Sequence, residues 1–279
     1  MSDWTLRQSF ASSQGEIKFD IFGSGRPIVL LHGTPSWSYL WRGVADLLAE
    51  KWAVHAYDLA GYGGSAKYEG QGVSIADQTE VFCELLDHWR LERPFVVGHD
   101  FGGAASLRAL TLKRRTFAGL ALIDAVALRP WGTPFSSLIR AHIDVFRKVP
   151  PHVFASMIAA HIRAAIHKPM SDADLAPYLA PWLAEGGQDA YLRMVAEYDE
   201  RYTAEMEDRY GAIDIPTLVL WGEDDKWVEP AFGVKLAEAI PGASLQMIPE
   251  AGHFLPEDQP AAVARALDRF FSGIRQKAA

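Results

Sequence analysis

The sequence predicts an α/β fold: a mostly parallel, doubly wound sheet with a helical segment inserted late in the chain. Three observations lead there. Short apolar runs, each ending in Gly, Asp or His, recur along the chain, and runs of this length bounded by turn residues read as buried parallel strands. Segments with helical periodicity separate them, and alternating strand and helix builds a sheet covered on both faces. The third observation is residues 129–212, which carry helix signals and prolines but no strand signal.

The first buried strand is PIVLLHG (27–33); the FGSGRP before it (22–27) reads as a turn, since a phosphate loop would follow its strand. A helix over 39–50 leads to AVHAYDLAGYGGS (53–65), a strand entering a bend. There Asp58 supplies turn chemistry, with Gly61, Gly63 and Gly64 setting the chain direction. A helix over 74–90 precedes FVVGHD (95–100), a helix over 102–113 follows it, and LALIDA (120–125) is the next strand. The prolines of RPWGTPF, KVPPHVF, HKPMSD and APYLAPW punctuate the segment 129–212, expected to form a helical cap (lid) over the strand ends. The core then comprises 1–128 and 213–279, closed by TLVLWGEDD (217–225), a helix over 232–239, SLQMIPEAGH (244–253) and a helix over 258–272. Polar residues gather just past the C-terminal ends of these strands, the edge at which open α/β sheets bind ligands.

Composition narrows the function. The chain has 279 residues, 49% of them hydrophobic, enough for one large core. Its net charge of −8 argues against nucleic acid or an anionic membrane as partner. No apolar run approaches the roughly 20 residues of a membrane span, and the opening MSDWTLRQSF has no signal-peptide pattern. Cys83 is the single cysteine, so no internal disulfide or cysteine metal cluster forms. The histidines lack paired ligand spacing, and neither a metal nor a cofactor is expected. A cytoplasmic setting follows as an expectation. A homodimer is compatible with the sequence, which sets no oligomeric state.

The chemistry concentrates in Gly98-His99-Asp100-Phe101-Gly102. A strand running into G-x-S-x-G and then a helix presents a serine nucleophile on a sharp turn. Here aspartate replaces the serine. A serine alkoxide attacking an sp³ carbon leaves a stable ether. A carboxylate attacking the same carbon leaves an ester, which water can cleave. Asp also needs no base to activate it, being ionised at neutral pH. The replacement therefore implies a change of substrate class.

LLHGTPSWSYLWR (30–42), DLAGYGGS (58–65) and VVGHDFGG (96–103), followed by LVLWGEDDKWV and AGHFLPEDQP, are together similar to one family, the haloalkane dehalogenase and epoxide hydrolase branch of the α/β-hydrolases. The resemblance implies an α/β-hydrolase fold with a cap and a covalent ester on Asp100. It implies His253 as the base that activates water, the chain order being nucleophile, acid, histidine. Among Glu223, Asp224 and Asp225, the G-x-x-D pattern selects Asp225 as the acid; Asp124 is the alternative acid. The backbone N–H groups of Thr34 and Phe101 are the expected oxyanion hole, while His32 and His99 read as loop-shaping residues.

The leaving group is less determined. In dehalogenases of this branch a Trp after the nucleophile and an Asn after His-Gly, or a Trp in the cap, hold the halide. This chain has Phe101 and Thr34 at the first two places, and Phe has no N–H to donate. Trp37, Trp131 and Trp182 are the remaining indole candidates. The Arg with which fluoroacetate dehalogenases hold a carboxylate is also absent after Asp100. Epoxide hydrolysis instead needs cap tyrosines to protonate the opening ring. Tyr178, Tyr191, Tyr198, Tyr202 and Tyr210 are available, with Tyr191, Tyr198 and Tyr202 the leading candidates. On these grounds the reading leans to epoxide hydrolysis of a small apolar substrate by water, with haloalkane dehalogenation as its alternative. An ester or lactone hydrolase using Asp100 as a base, and a non-catalytic ligand-binding homologue, are further alternatives. In PHVFASMIAAHIRAAIHK (151–168) the apolar positions fall at helical spacing, and His161 lies near that face, either toward the pocket or in packing.

Overall fold

The computed structural model describes residues 4–274. Its centre is an eight-stranded sheet: β1 (Gln8–Ser12), β2 (Gly15–Phe22), β3 (Arg26–Leu31), β4 (Trp52–Tyr57), β5 (Phe95–His99), β6 (Gly119–Ile123), β7 (Thr217–Gly222) and β8 (Ser244–Ile248). The spatial order is β1-β2-β4-β3-β5-β6-β7-β8. β2 runs antiparallel to both its neighbours, and every pairing from β4 to β8 is parallel.

The central strands are apolar throughout because both faces are covered. On β3, Ile28 and Leu30 enter one core while Val29 and Leu31 enter the other, as the two-residue period of a strand requires. One face packs on α1 (Arg42–Leu48) and the C-terminal α12 (Pro260–Gly273), with Trp41, Trp52 and Phe271 filling the layer. The other packs on α2 (Ile75–His88) and α3 (Phe101–Thr111), with α10 (Pro230–Ala239) flanking β7 and β8. Ser74 starts α2 with a reciprocal capping box to Asp77.

The N-terminal hairpin β1-β2 was not among the strands expected. GEIKFDIF of β2 alternates polar and apolar residues, while QSFAS of β1 does not and is largely exposed at the sheet edge. The strand within 53–65 ends at Tyr57, just before Asp58 and the glycine bend.

Between β6 and β7 the chain is helical: α4 (Pro134–Ala141), α5 (Ile143–Phe146), α6 (Pro151–Arg163), α7 (Asp172–Leu183), α8 (Gly187–Ala196) and α9 (Arg201–Glu207). These helices meet the sheet's C-terminal edge through specific bonds. Trp182 donates its indole N–H to the Pro35 carbonyl at 2.8 Å, Tyr210 its hydroxyl to the Ala127 carbonyl at 2.6 Å, and Arg108 of α3 pairs with Glu205 at 2.7 Å. Tyr178 of α7 donates to Glu257, which is also held bidentately by Arg42. Glu257 lies on α11 (Leu255–Asp258), directly after His253. Among the described residues no helix is long and apolar enough to cross a membrane.

Candidate active site

Asp100 sits between β5 and α3 with φ 51° and ψ −117°, a conformation that non-glycine residues adopt at a cost of about 1–3 kcal/mol. Its surroundings hold it there. Its N–H donates to the Ile123 carbonyl at 3.2 Å, and its own carbonyl accepts from Gly103, Ala104 and Val126. The turn is tight enough that Cβ atoms at Gly98 or Gly102 would lie 2.5 Å from the Gly102 carbonyl oxygen and 2.4 Å from that of Leu31. This packing explains the two glycines of the frame.

The side chain of Asp100 is buried and aimed at the ends of β3 and β8. Its Oδ1 accepts the Thr34 N–H at 2.7 Å, and its Oδ2 lies 3.4 Å from His253 Nε2. Gly33 makes room for it: a Cβ there would fall 2.2 Å from the Asp100 Cβ. The Asp100 side chain makes no capping bond to α3, so the Phe101 N–H points its half of the expected pair at no carboxylate oxygen. The helix N-terminus still places positive potential at this point.

His253 is fully buried, and its Nδ1–H donates to Asp225 Oδ2 at 2.8 Å. Asp225 Oδ1 accepts the N–H groups of Trp227 and Val228 at 2.8 and 3.0 Å. Burial alone would depress the imidazole, but Asp225 and then Asp100 outweigh it and hold the His253 pKa well above its ordinary value. The loop carrying His253 is pinned twice. His99 Nε2–H donates to the His253 carbonyl at 2.8 Å, and Asp258 accepts from the Gly252 N–H at 2.9 Å while also accepting from His167 across the helical segment.

The geometry thus brings Asp100, His253 and Asp225 together. Asp124 follows β6 and is buried; its Oδ1 accepts from the Gly222 N–H at 2.9 Å, and it makes no bond to His253. His32 accepts from the Leu59 N–H and donates to the Gly33 carbonyl, two bonds that together require a neutral ring. Asp58 takes the Ser38 and Gly64 N–H groups and so fixes the bend.

A narrow cavity of about 30 Å³ lies over Asp100. Its aromatic walls are Phe101, Trp131, Tyr198 and Trp227, with His161 beside them, and no Lys or Arg lines it. Tyr198, in the loop after α8, has its ring centroid 4.9 Å from that of Phe101, and its hydroxyl is 3.0 Å from Thr34 Oγ1.

Several substrate candidates are placed elsewhere. Tyr191 is packed against Trp182 and Phe154, away from the cavity wall. Tyr202 lies on the surface side of α9, where Arg108 and Arg201 cover its ring. Trp182 and Trp37 give their indole N–H groups to the carbonyls of Pro35 and Pro177. Trp131 does line the cavity, but its N–H is bonded to Thr203 at 3.0 Å. His161 faces the cavity and stacks on Trp227 with centroids 4.2 Å apart. Trp227 itself was not singled out in the sequence, although it lies two residues past Asp225.

The sequence profile of the alpha/beta hydrolase fold matches residues 26–260. This chain is an α/β-hydrolase. A solved α/β-hydrolase fold protein from Burkholderia ambifaria superposes on the hydrolase with a TM-score of 0.92 and 38% identity, over 95% of this chain and 97% of that one. Haloalkane dehalogenase 2 of Mycobacterium tuberculosis is 28% identical over 94% of this chain and 93% of its own length. The soluble epoxide hydrolase of Corynebacterium sp. is also 28% identical, over 91% and 92%. The hydrolase thus shares the same percentage identity with two relatives named for different reactions.

Proposed function

We propose that this hydrolase opens small, uncharged epoxides through an alkyl ester on Asp100. The observation that carries the reading is the phenol of Tyr198 on the cavity wall over Asp100, hydrogen-bonded to Thr34. The absence of lysine and arginine from that wall disfavours carboxylate substrates, whose buried charge would lack a partner.

In the first step a carboxylate oxygen of Asp100 attacks a ring carbon and the C–O bond breaks. The departing oxygen takes the proton of Tyr198. Burial first, then the neighbouring Tyr62 and Tyr191, hold that phenol's pKa well above the ordinary value, so it is protonated when substrate arrives. In the second step His253, having passed its proton to the Tyr198 phenolate, removes a proton from water, and the hydroxide adds to the ester carbonyl. The oxyanion is met by the Thr34 and Phe101 N–H groups. Collapse releases the diol and restores the Asp100 carboxylate. The helical segment 129–212 acts as the cap that closes this cavity.

A second reading rests on Trp227. It lines the cavity, and its indole N–H has no protein partner among the described residues, which leaves it free to hold a departing halide. The likeness to haloalkane dehalogenase 2 is consistent with this.

Intact-protein mass of a His253→Gln variant exposed to epoxides and haloalkanes tests both. Without the base the ester accumulates. A gain of one whole epoxide mass supports the first reading, and a gain of haloalkane minus hydrogen halide supports the second. No adduct across either panel, with the wild type silent on both, overturns the covalent mechanism.

A further inference from the structure

Asp124 is buried at the sheet's C-terminal edge beside Asp100, Asp225 and His253. The mechanism uses the last three. The state of Asp124 can be read from its hydrogen bonds. Asp225 receives three donors, the Trp227 and Val228 N–H groups on Oδ1 and the His253 ring on Oδ2. An acceptor with three N–H groups directed at it is ionised. Asp124 receives one, the Gly222 N–H on Oδ1, and its Oδ2 is buried with no donor at all. A buried carboxylate oxygen left bare costs far more than a protonated one that donates. The donor's target is close by. Asp225 folds back on the residue that Asp124 grips: its N–H donates to the Gly222 carbonyl while the Gly222 N–H donates to Asp124, so the two side chains are anchored on one residue.

We infer that Asp124 is a neutral carboxylic acid whose Oδ2–H hydrogen-bonds Asp225, making it a positioning residue for the acid that orients His253. This inference rests on the reading of Asp225 and His253 given above. The charges facing Asp124 are Asp225, from the loop after β7, and His253, from the loop after β8. Burial first and the Asp225 charge second push the Asp124 carboxyl upward, and His253 opposes them only in part. Like charges this close do not both ionise, and the less solvated partner keeps the proton. The arrangement also predicts redundancy. When residue 225 is neutral, the push from its charge is gone while the pull of His253 remains, which favours ionisation of Asp124 and lets it partly take over as the counter-ion of His253.

The test has a structural and a kinetic arm. The infrared spectrum of the wild type at pH 7 should contain a protonated-carboxyl band that shifts in D₂O and disappears in Asp124→Asn. If that variant fails to fold, the assigned Asp124 side-chain carbon signal in ¹³C-labelled wild type reads the same proton. In the kinetic arm, Asp225→Asn should retain measurable ester hydrolysis, and adding Asp124→Asn should lower it by a further factor of about ten or more. A wild type whose Asp124 is ionised at pH 7 overturns the shared proton. A double variant no slower than Asp225→Asn overturns the positioning role. Failure to form any ester on Asp100 would refute the reading of the reaction while leaving the infrared and carbon signals unchanged, so the two failures are separable.

Discussion

Replacing Tyr198 with Phe removes one oxygen and leaves the ring. The ring keeps its contacts with Phe101 at 4.9 Å and Trp131 at 5.6 Å, so the wall of the cavity stays in place. The lost hydrogen bond is the 3.0 Å contact with Thr34 Oγ1. Thr34 retains Met194 as a neighbour, and the cost in stability is about 1 kcal/mol. The cost in catalysis is larger if the phenol protonates the opening ring. A positioned general acid is worth about 10²–10⁴ in rate, or about 3–5 kcal/mol of barrier. The assay reads the first step alone. In a His253→Gln background the ester cannot turn over, so the rate of mass gain measures attack by Asp100. Tyr198→Phe should slow that gain by the full factor for an epoxide and by less than about threefold for a haloalkane, whose leaving group needs no proton. Epoxide adducts forming within about threefold of the parent rate would refute the role given to Tyr198.

Further tests address other parts of the site. Gly33→Ala places a methyl group 2.3 Å from Asp100 Oδ1; the displaced carboxylate loses the Thr34 N–H, and turnover should fall by about 10²–10³ with the fold intact by circular dichroism. Trp227→Phe should leave epoxide turnover within about threefold while abolishing any haloalkane turnover; loss on both substrates would show that the ring, not its N–H, matters. Asp58→Ala strips the Ser38 and Gly64 N–H groups of their acceptor, and urea unfolding should show a loss of about 2–5 kcal/mol. Acid should also unfold the protein early. Burial pushes His32 down to about 3 and His55, His99 and His161 down to about 4. These rings stay neutral in the fold while the unfolded chain takes up protons near pH 6.5. The stability they contribute is therefore complete above that pH and is lost as pH falls toward 4, at up to about 1.4 kcal/mol per pH unit for each ring. Asp124, held upward, changes in the opposite sense and blunts the slope. A urea midpoint unchanged between pH 7 and 5 would contradict the burial of these rings as neutral species.

The parts of this hydrolase legible in its sequence are those where local chemistry and global fold make the same demand. The frame Gly98–Gly102 is visible because a turn with φ 51° at Asp100 leaves no space for side chains on either side of it. The central strands are visible because a strand covered on both faces must be apolar throughout. β1 and β2 went unseen because the edge hairpin is half exposed and β1, QSFAS, carries no regular alternation to mark it. The cavity lining was the least legible. Tyr191, Tyr198 and Tyr202 are equivalent in sequence, but which one reaches Asp100 depends on how α8 packs on its neighbours. Tyr191 points into the packing of Trp182, and Tyr198 falls just past the helix end, where the chain turns over Phe101. The same holds for the indoles. Composition supplies nine tryptophans, and only hydrogen-bond partners distinguish a spent N–H such as that of Trp131 from a free one such as that of Trp227.

The charges of the site connect the two chemical steps. In the resting enzyme His253 lies between Asp225 at 2.8 Å and Asp100 at 3.4 Å, and these carboxylates hold its pKa above the ordinary value, which favours the cation. A cation cannot act as a base. In the proposed reaction, alkylation of Asp100 converts one of these two anionic neighbours into a neutral ester, and the contribution of that neighbour to the raised pKa disappears. The imidazolium then gives up its proton and becomes the base that the second step needs. The released proton needs a destination in a cavity without other acceptors of comparable basicity. Epoxide opening provides one: the alkoxide takes the Tyr198 proton, and the phenolate takes the one from His253. Halide departure provides none, and the proton would have to leave for solvent before water could attack. Proton release to the medium during a single turnover, followed with an indicator dye, therefore separates the two chemistries independently of any adduct mass. With an epoxide, ester formation should release no proton. With a haloalkane it should release one per site, and release of one proton with an epoxide would break the link drawn here between Asp100, His253 and Tyr198.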